Sequence, residues 1–156
     1  MQISALQWVF VANIVFQGPA GLTLDGKGRI AMPSRHRELL SAMGVTQLTV
    51  TKNPAGALMI FPRPTWEAFR DQLAKLPMQA DGWKRVFLGN AMDVEIDASS
   101  RVLIAPELRT AAGLTRDVML LGMGSYFELW DAARYAEHEA EVMKSPMPDA
   151  LLNFSF

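Results

Sequence analysis

Apolar residues along this chain follow two periods, and the change from one to the other marks its elements. Leu22-Thr-Leu24 and Ile30-Ala-Met32 alternate in the two-residue period of half-buried strands and flank the turn-forming run Asp25-Gly-Lys-Gly28. That pattern reads as a hairpin or a sharp strand-to-strand bend. Leu48 to Thr51 and Ala57 to Phe61 read as a strand pair around Asn53-Pro-Ala-Gly56, and Val118 to Leu121 with Tyr126 to Trp130 as another around Gly122-Met-Gly124. After Pro64, the residues Trp66, Phe69, Leu73 and Leu76 recur at helical spacing and predict one apolar helix face. Pro33 with Gly44, and Pro106 with Gly113, bracket two short helices, since proline suits a first helical turn and glycine a C-terminal stop. Asp131 is a good N-cap for a polar helix running to about Met143, and a linking helix is predicted around Trp83 to Gly89.

The same plan occurs twice. Asp25, Arg29 and Arg37 recur 72 residues on as Asp97, Arg101 and Arg109, with the proline shifted by one place from Pro33 to Pro106. The likeness continues downstream: Leu58-Met-Ile-Phe61 followed by Trp66 matches Phe127-Glu-Leu-Trp130 followed by Tyr135. Each copy has roughly 45 residues, below what usually folds without help. The copies are therefore expected to share one core as half-domains of a β-rich α+β fold.

Composition excludes several kinds of chemistry. There is no cysteine, hence no disulfide and no thiolate metal site. His36 and His138 lie far apart, have no metal-ligand spacing and read as surface residues. Gly26-Lys-Gly28 sits inside a turn and does not open a helix, so it is no phosphate loop. The aromatic residues Trp66, Phe69, Phe127 and Trp130 are expected in the core. The apolar run Ile3 to Phe16 is too short for a membrane span and lacks the basic start of a signal peptide. No catalytic residue, metal, cofactor, small-molecule substrate or membrane partner is expected.

The repeated aspartates invite a paired-carboxylate reading, but their companions are arginines, not a nucleophile or a catalytic histidine. A structural role fits better: Asp25 and Asp97, with Gly28, shape the turns by accepting backbone N–H bonds. Arg29 either partners Asp25 or projects to a phosphate or base edge, for which its planar fork is suited. Lys27 has no apolar neighbour to pack on and suits phosphate contact. Arg35 and Arg37 form either a DNA-facing or a merely solvated helix face. The net charge of −1 does not suggest a nucleic-acid binder. Its distribution changes that picture: residues 22–37 carry a net +3 and residues 131–149 a net −3.

At these turns the chain resembles the MraZ family. The resemblance is carried by Phe16-Gln-Gly18, by Leu24-Asp-Gly-Lys-Gly-Arg29 with Pro33-Ser-Arg-His-Arg37, by Phe87-Leu-Gly-Asn-Ala91, and by Leu120-Leu-Gly-Met-Gly124 through Phe127-Glu-Leu-Trp-Asp131. It covers about residues 15 to 156. It implies two AbrB-like swapped-hairpin half-domains forming one pseudo-symmetric barrel-like core with flanking helices. The divisions implied are an extension at 1–14, a first repeat at 19–64, linking helices at 65–90, a second repeat at 91–134 and a C-terminal helix and tail at 135–156. The resemblance further implies a cytoplasmic, nucleoid-associated transcriptional regulator, leaning toward repression, of the division and cell-wall gene cluster. Its partners would be double-stranded DNA, read at short G-rich direct repeats in a promoter, and itself, as a ring homo-oligomer. The DNA-contact candidates are Lys27, Arg29, Arg35 and Arg37, with Arg101 and Arg109 from the second copy.

The chain departs from the family pattern in two places. Ser100 replaces the usual turn glycine, which costs on the order of 1 kcal/mol if the position needs positive φ. The second copy also lacks a lysine in the place of Lys27, so the first copy is expected to be the main DNA reader. The family begins Met-Phe-x-Gly, against Val15-Phe16-Gln17-Gly18 here, which implies translation from Val15 and makes residues 1–14 extraneous. An intact mass that includes Met1 would end that expectation. Two other classes remain open: an AbrB-fold antitoxin, normally a single copy with a toxin-binding tail, and a ring-forming interaction protein without DNA readout.

Overall fold

A computed structural model describes residues 14–154, so the expectation about residues 1–14 falls, Ile14 apart, outside the described residues. The chain runs β1 (Phe16–Thr23), β2 (Arg29–Ala31), α1 (Ser34–Ala42), β3 (Gln47–Lys52), β4 (Leu58–Pro62) and α2 (Arg63–Ala74). A 3-10 turn (Met78–Ala80) leads to α3 (Asp81–Phe87), β5 (Met92–Glu95), β6 (Arg101–Leu103), α4 (Pro106–Ala111), β7 (Asp117–Gly124), β8 (Phe127–Asp131), α5 (Ala132–Lys144) and α6 (Asp149–Leu152). The class is α+β. Asp131 caps α5 by accepting a hydrogen bond from the Arg134 N–H at 3.1 Å.

Six strands form one antiparallel sheet in the order β1-β7-β8-β4-β3-β5, while β2 and β6 pair separately as a two-stranded ribbon. By the sequence repeat, β5 to β8 are the counterparts of β1 to β4, and exchanging the two sets reads the strand order backwards. Each half sends its first strand to the other: β1 pairs with β7, and β5 with β3. The barrel-like core expected from the resemblance is corrected here. The described sheet is open, with β1 and β5 at its edges. The cause lies at the aspartate turns, where the chain bends out of the sheet. β2 and β6 therefore pair with each other rather than extending the sheet toward closure. The helices that follow, α1 after Pro33 and α4 opened by Pro106, hold these strands to three residues each.

The core fills the space between ribbon and sheet. Ile30, Met32, Val102 and Ile104 from the ribbon segments, with Leu40 and Leu108 from α1 and α4, pack on Leu48, Val50, Leu58, Ile60, Val118, Leu120, Phe127 and Leu129. Fully burying each such side chain is worth about 1.5–3 kcal/mol. The opposite sheet face carries a smaller cluster of Met59, Phe61 and Trp66, with Phe69 and Phe87 partly buried beside it.

His36 corrects a second expectation. It is buried at 1% exposure, with its ring 6.0 Å from Phe16 and 4.9 Å from Phe127, not on the surface. It precedes Leu40 by four residues and so shares the inward stripe of α1. Among the described residues its Nδ1 has no hydrogen-bond partner, while Nε2 accepts weakly from Arg35 Nε at 3.5 Å. Burial, reinforced by the Arg35 charge, holds its pKa below the ordinary 6.5. Among the described residues, no helix is long and apolar enough to cross a membrane.

Candidate nucleic-acid interface

Strand alternation decides what the β2–β6 ribbon shows to solvent. Ile30 and Val102 pair across it and are fully buried, so their neighbours Arg29, Ala31, Arg101 and Leu103 face outward. The register sets Arg29 opposite Leu103 and Ala31 opposite Arg101.

Each ribbon strand is entered through an aspartate turn. Asp25 Oδ1 accepts from the backbone N–H groups of Lys27 and Arg29, both at 2.9 Å, and Oδ2 accepts from Arg29 Nε at 2.7 Å. The second turn repeats this pattern. Asp97 Oδ1 accepts from the N–H of Ser99 at 2.8 Å and of Arg101 at 2.9 Å. There the guanidinium is looser: Arg101 Nε lies 3.4 Å from Asp97 Oδ2, an ion pair that leaves Nε without a hydrogen bond among the described residues.

These donors stabilise the ionised carboxylates. The Arg29 backbone N–H is the largest influence on Asp25, whose pKa is drawn down to about 2. Asp97 is lowered in the same way, chiefly by the Arg101 N–H. A carboxyl held ionised has no proton to give near neutral pH, so the aspartates act here as braces.

The two turns end in left-handed backbone, Gly28 at φ 83° and Ser100 at φ 61°. At Gly28 the missing side chain also makes room, because a Cβ there would lie 2.5 Å from Arg109 Cζ. Each turn is tied to the other half. The Ile104 N–H donates to Gly28 O at 3.0 Å, and the Met32 N–H to Ser100 O at 2.9 Å. α4 begins just after Ile104 and lays Arg109 across the first turn. Ser100 carries a side chain at the equivalent place, and Arg37, the counterpart of Arg109, stands exposed on α1.

The first turn thus gathers Lys27, Arg29 and Arg109. Lys27 is exposed at its tip and makes no ion pair among the described residues. Arg101 stands at the second turn. Arg35 is directed elsewhere: its Nη2 donates to Pro19 O at 2.8 Å, and its guanidinium covers Gly18 on the β1 edge. Sequence reasoning missed two residues. Arg116 is exposed and comes beside the first turn, its carbonyl accepting from the Leu24 N–H at 2.8 Å. Only the long-range pairing of Thr23 with Asp117 places it there. Leu103 stands 47% exposed on the ribbon face, which strict alternation from Val102 could have flagged.

A family model described as "MraZ protein, putative antitoxin-like" matches residues 15–85 and 87–150, one stretch over each half. The chain is 65% identical over 146 residues to "Transcriptional regulator MraZ" of Methylibium petroleiphilum, covering 94% of this chain and 100% of that protein. It is 63% identical over 142 residues to the protein of that name from Polaromonas sp., covering 91% of this chain and 100% of the relative. For the Ralstonia pickettii protein of that name the identity is 62%, with the same coverage. Each stretch matched by the family model contains one aspartate turn and the ribbon strand it opens, and on these grounds the chain belongs to the MraZ family.

Proposed function

We propose that this chain is a sequence-specific DNA-binding transcriptional regulator that meets the duplex with the outer face of the β2–β6 ribbon. The observation that carries the reading is the convergence of Lys27, Arg29 and Arg109 on one outward turn held rigid by Asp25. The major groove of B-DNA admits a two-stranded ribbon, and an arginine fork meets guanine O6 and N7 or two phosphate oxygens. Asp25 engages Arg29 through Nε, which leaves the two Nη groups to face a base edge. Lys27 supplies a phosphate contact, and Arg37 and Arg101 do the same from the second end. Arg35 contributes indirectly, by fixing α1 to the β1 edge. The relatives' shared name, transcriptional regulator, supports the process.

The finer reading follows the family resemblance. The halves are AbrB-like swapped-hairpin modules, a description supported by the reversible strand order. Chains assemble head to tail into a ring, which offers the same basic turn at fixed spacing to direct repeats in double-stranded DNA. Summed contacts around the ring offset a net charge of −1 per chain. The target is the promoter of the division and cell-wall cluster, acted on in the cytoplasm at the nucleoid, with repression as the outcome. The wording "antitoxin-like" favours an antitoxin as second reading. The duplicated halves weigh against it, as does the intact first turn against a ring protein without DNA readout.

The test is a shift assay with DNA from immediately upstream of the protein's own gene. Wild type retards that fragment and leaves scrambled DNA free, and Arg29→Ala loses the shift while keeping its oligomeric size. Equal affinity of Arg29→Ala and wild type for the fragment removes the contact role.

A further inference from the structure

The duplicated ribbon is not chemically symmetrical. Its register puts Arg29 and Arg101 on one diagonal of the outer face and Ala31 and Leu103 on the other. Arg29 and Arg101 correspond in the sequence repeat, as do Ala31 and Leu103. Each arginine is paired through Nε with the aspartate of its own turn, so each end of the face sets one guanidinium beside one apolar side chain: Arg29 opposite Leu103, and Arg101 opposite Ala31. A single exposed leucine on a protein surface calls for no explanation. This one stands on a three-residue strand between the fully buried Val102 and Ile104, on the face proposed to enter a groove, flanked by two guanidinium groups.

Among the base edges of the major groove, one group is a methyl: that on C5 of thymine. We infer that Leu103 packs against a thymine methyl, and that Ala31, shorter by three carbon atoms, does not reach the corresponding base. The assignment rests on the DNA-binding reading above and sharpens it. A ribbon with equal ends would read the two strands alike and select an inverted repeat. Leucine at one end and alanine at the other, together with Lys27 against Ser99, give the chain a direction along the duplex. Direction of this kind is what recognition of direct repeats demands.

The experiment uses the full-length protein and the fragment it retards, resynthesised with deoxyuridine at one thymine at a time. This deletes a methyl and leaves every hydrogen-bonding edge intact. Wild type is expected to lose about fourfold in affinity at one thymine per bound repeat, the factor that burial of one methyl group supplies. Leu103→Ala is expected to bind the thymine and deoxyuridine forms equally at that position, with a melting temperature lowered by a few degrees at most because about half of the side chain is exposed. Ala31→Leu is expected to create a second sensitive thymine. Low salt keeps the variants within measurable range. If wild type binds every deoxyuridine probe as well as the parent, or if Leu103→Ala keeps the wild-type ratio, the Leu103 assignment is overturned and the DNA reading stands. If wild type binds no duplex at all, both fall.

Discussion

Gly28→Ala separates what the first turn needs from its backbone and what it needs from empty space. At φ 83° an alanine occupies the left-handed region, at a cost of about 1–2 kcal/mol. Its Cβ would also lie 2.5 Å from Arg109 Cζ and 2.7 Å from Nε, so Arg109 must move. For the fold that movement costs little. The guanidinium is the end of a flexible side chain, and its buried Nε has no hydrogen-bond partner to lose among the described residues. Stability should therefore fall by the backbone cost alone, lowering the melting temperature by about 2–8 °C for a chain of this size. DNA affinity should fall further, because the turn loses one of its three cations. Melting curves and shift assays on Gly28→Ala, Arg109→Ala and the double variant test this. The stability losses should add. The affinity losses should not, since both substitutions remove the same contact. A wild-type melting temperature for Gly28→Ala, or fully additive affinity losses, would refute the reasoning.

Ser100→Gly relieves left-handed strain but adds glycine's entropic cost, so a net gain of up to about 1 kcal/mol, read as a higher melting temperature, is expected. For His36, the folded pKa is depressed while the unfolded chain takes up a proton near 6.5. Stability should be fully present above that value and decline as pH falls below it. Urea unfolding at neutral and mildly acidic pH should show this slope, and His36→Phe should flatten it; an unchanged slope in the variant would assign it to other groups. The aspartate braces, with Asp25 at about 2 and Asp97 also lowered, should stay ionised between neutral and mildly acidic pH, so a shift assay over that range should show no loss of affinity from these two turns. Affinity should fall steeply with salt as phosphates are neutralised, and a flat response would favour the interaction-only class.

What could be read from the chain was local. The aspartates at the turns and Asp131 at the start of α5 bond to backbone within four residues, so their roles follow from sequence spacing. Leu73 and Trp66 are buried as the helical period implies, while Leu76, past the end of α2, is 45% exposed. What escaped was long-range. The pocket that buries His36 is made by Phe16 and Phe127 on strands far away in sequence, and no local pattern distinguishes it from a solvated helix position. Arg35 and Arg37 look alike on a helix, yet only Arg35 reaches the Pro19 carbonyl. The leaving of β2 and β6 from the sheet was likewise hidden. Three apolar-alternating residues pair equally well with a sheet edge or with each other, and the fold decides.

The exchange of first strands bears on how this chain could have arisen and how it can be taken apart. Cut between Gly89 and Asn90, in the link before β5, each fragment would lack the outer strand of its own three-stranded block and hold the one its partner needs. The two pieces, produced together, should recover the uncut architecture, whereas either alone should stay unfinished and sticky along an unpaired edge. Two identical pieces would satisfy the same pairing rules, so a dimer of single repeats is a natural ancestor for the fused chain.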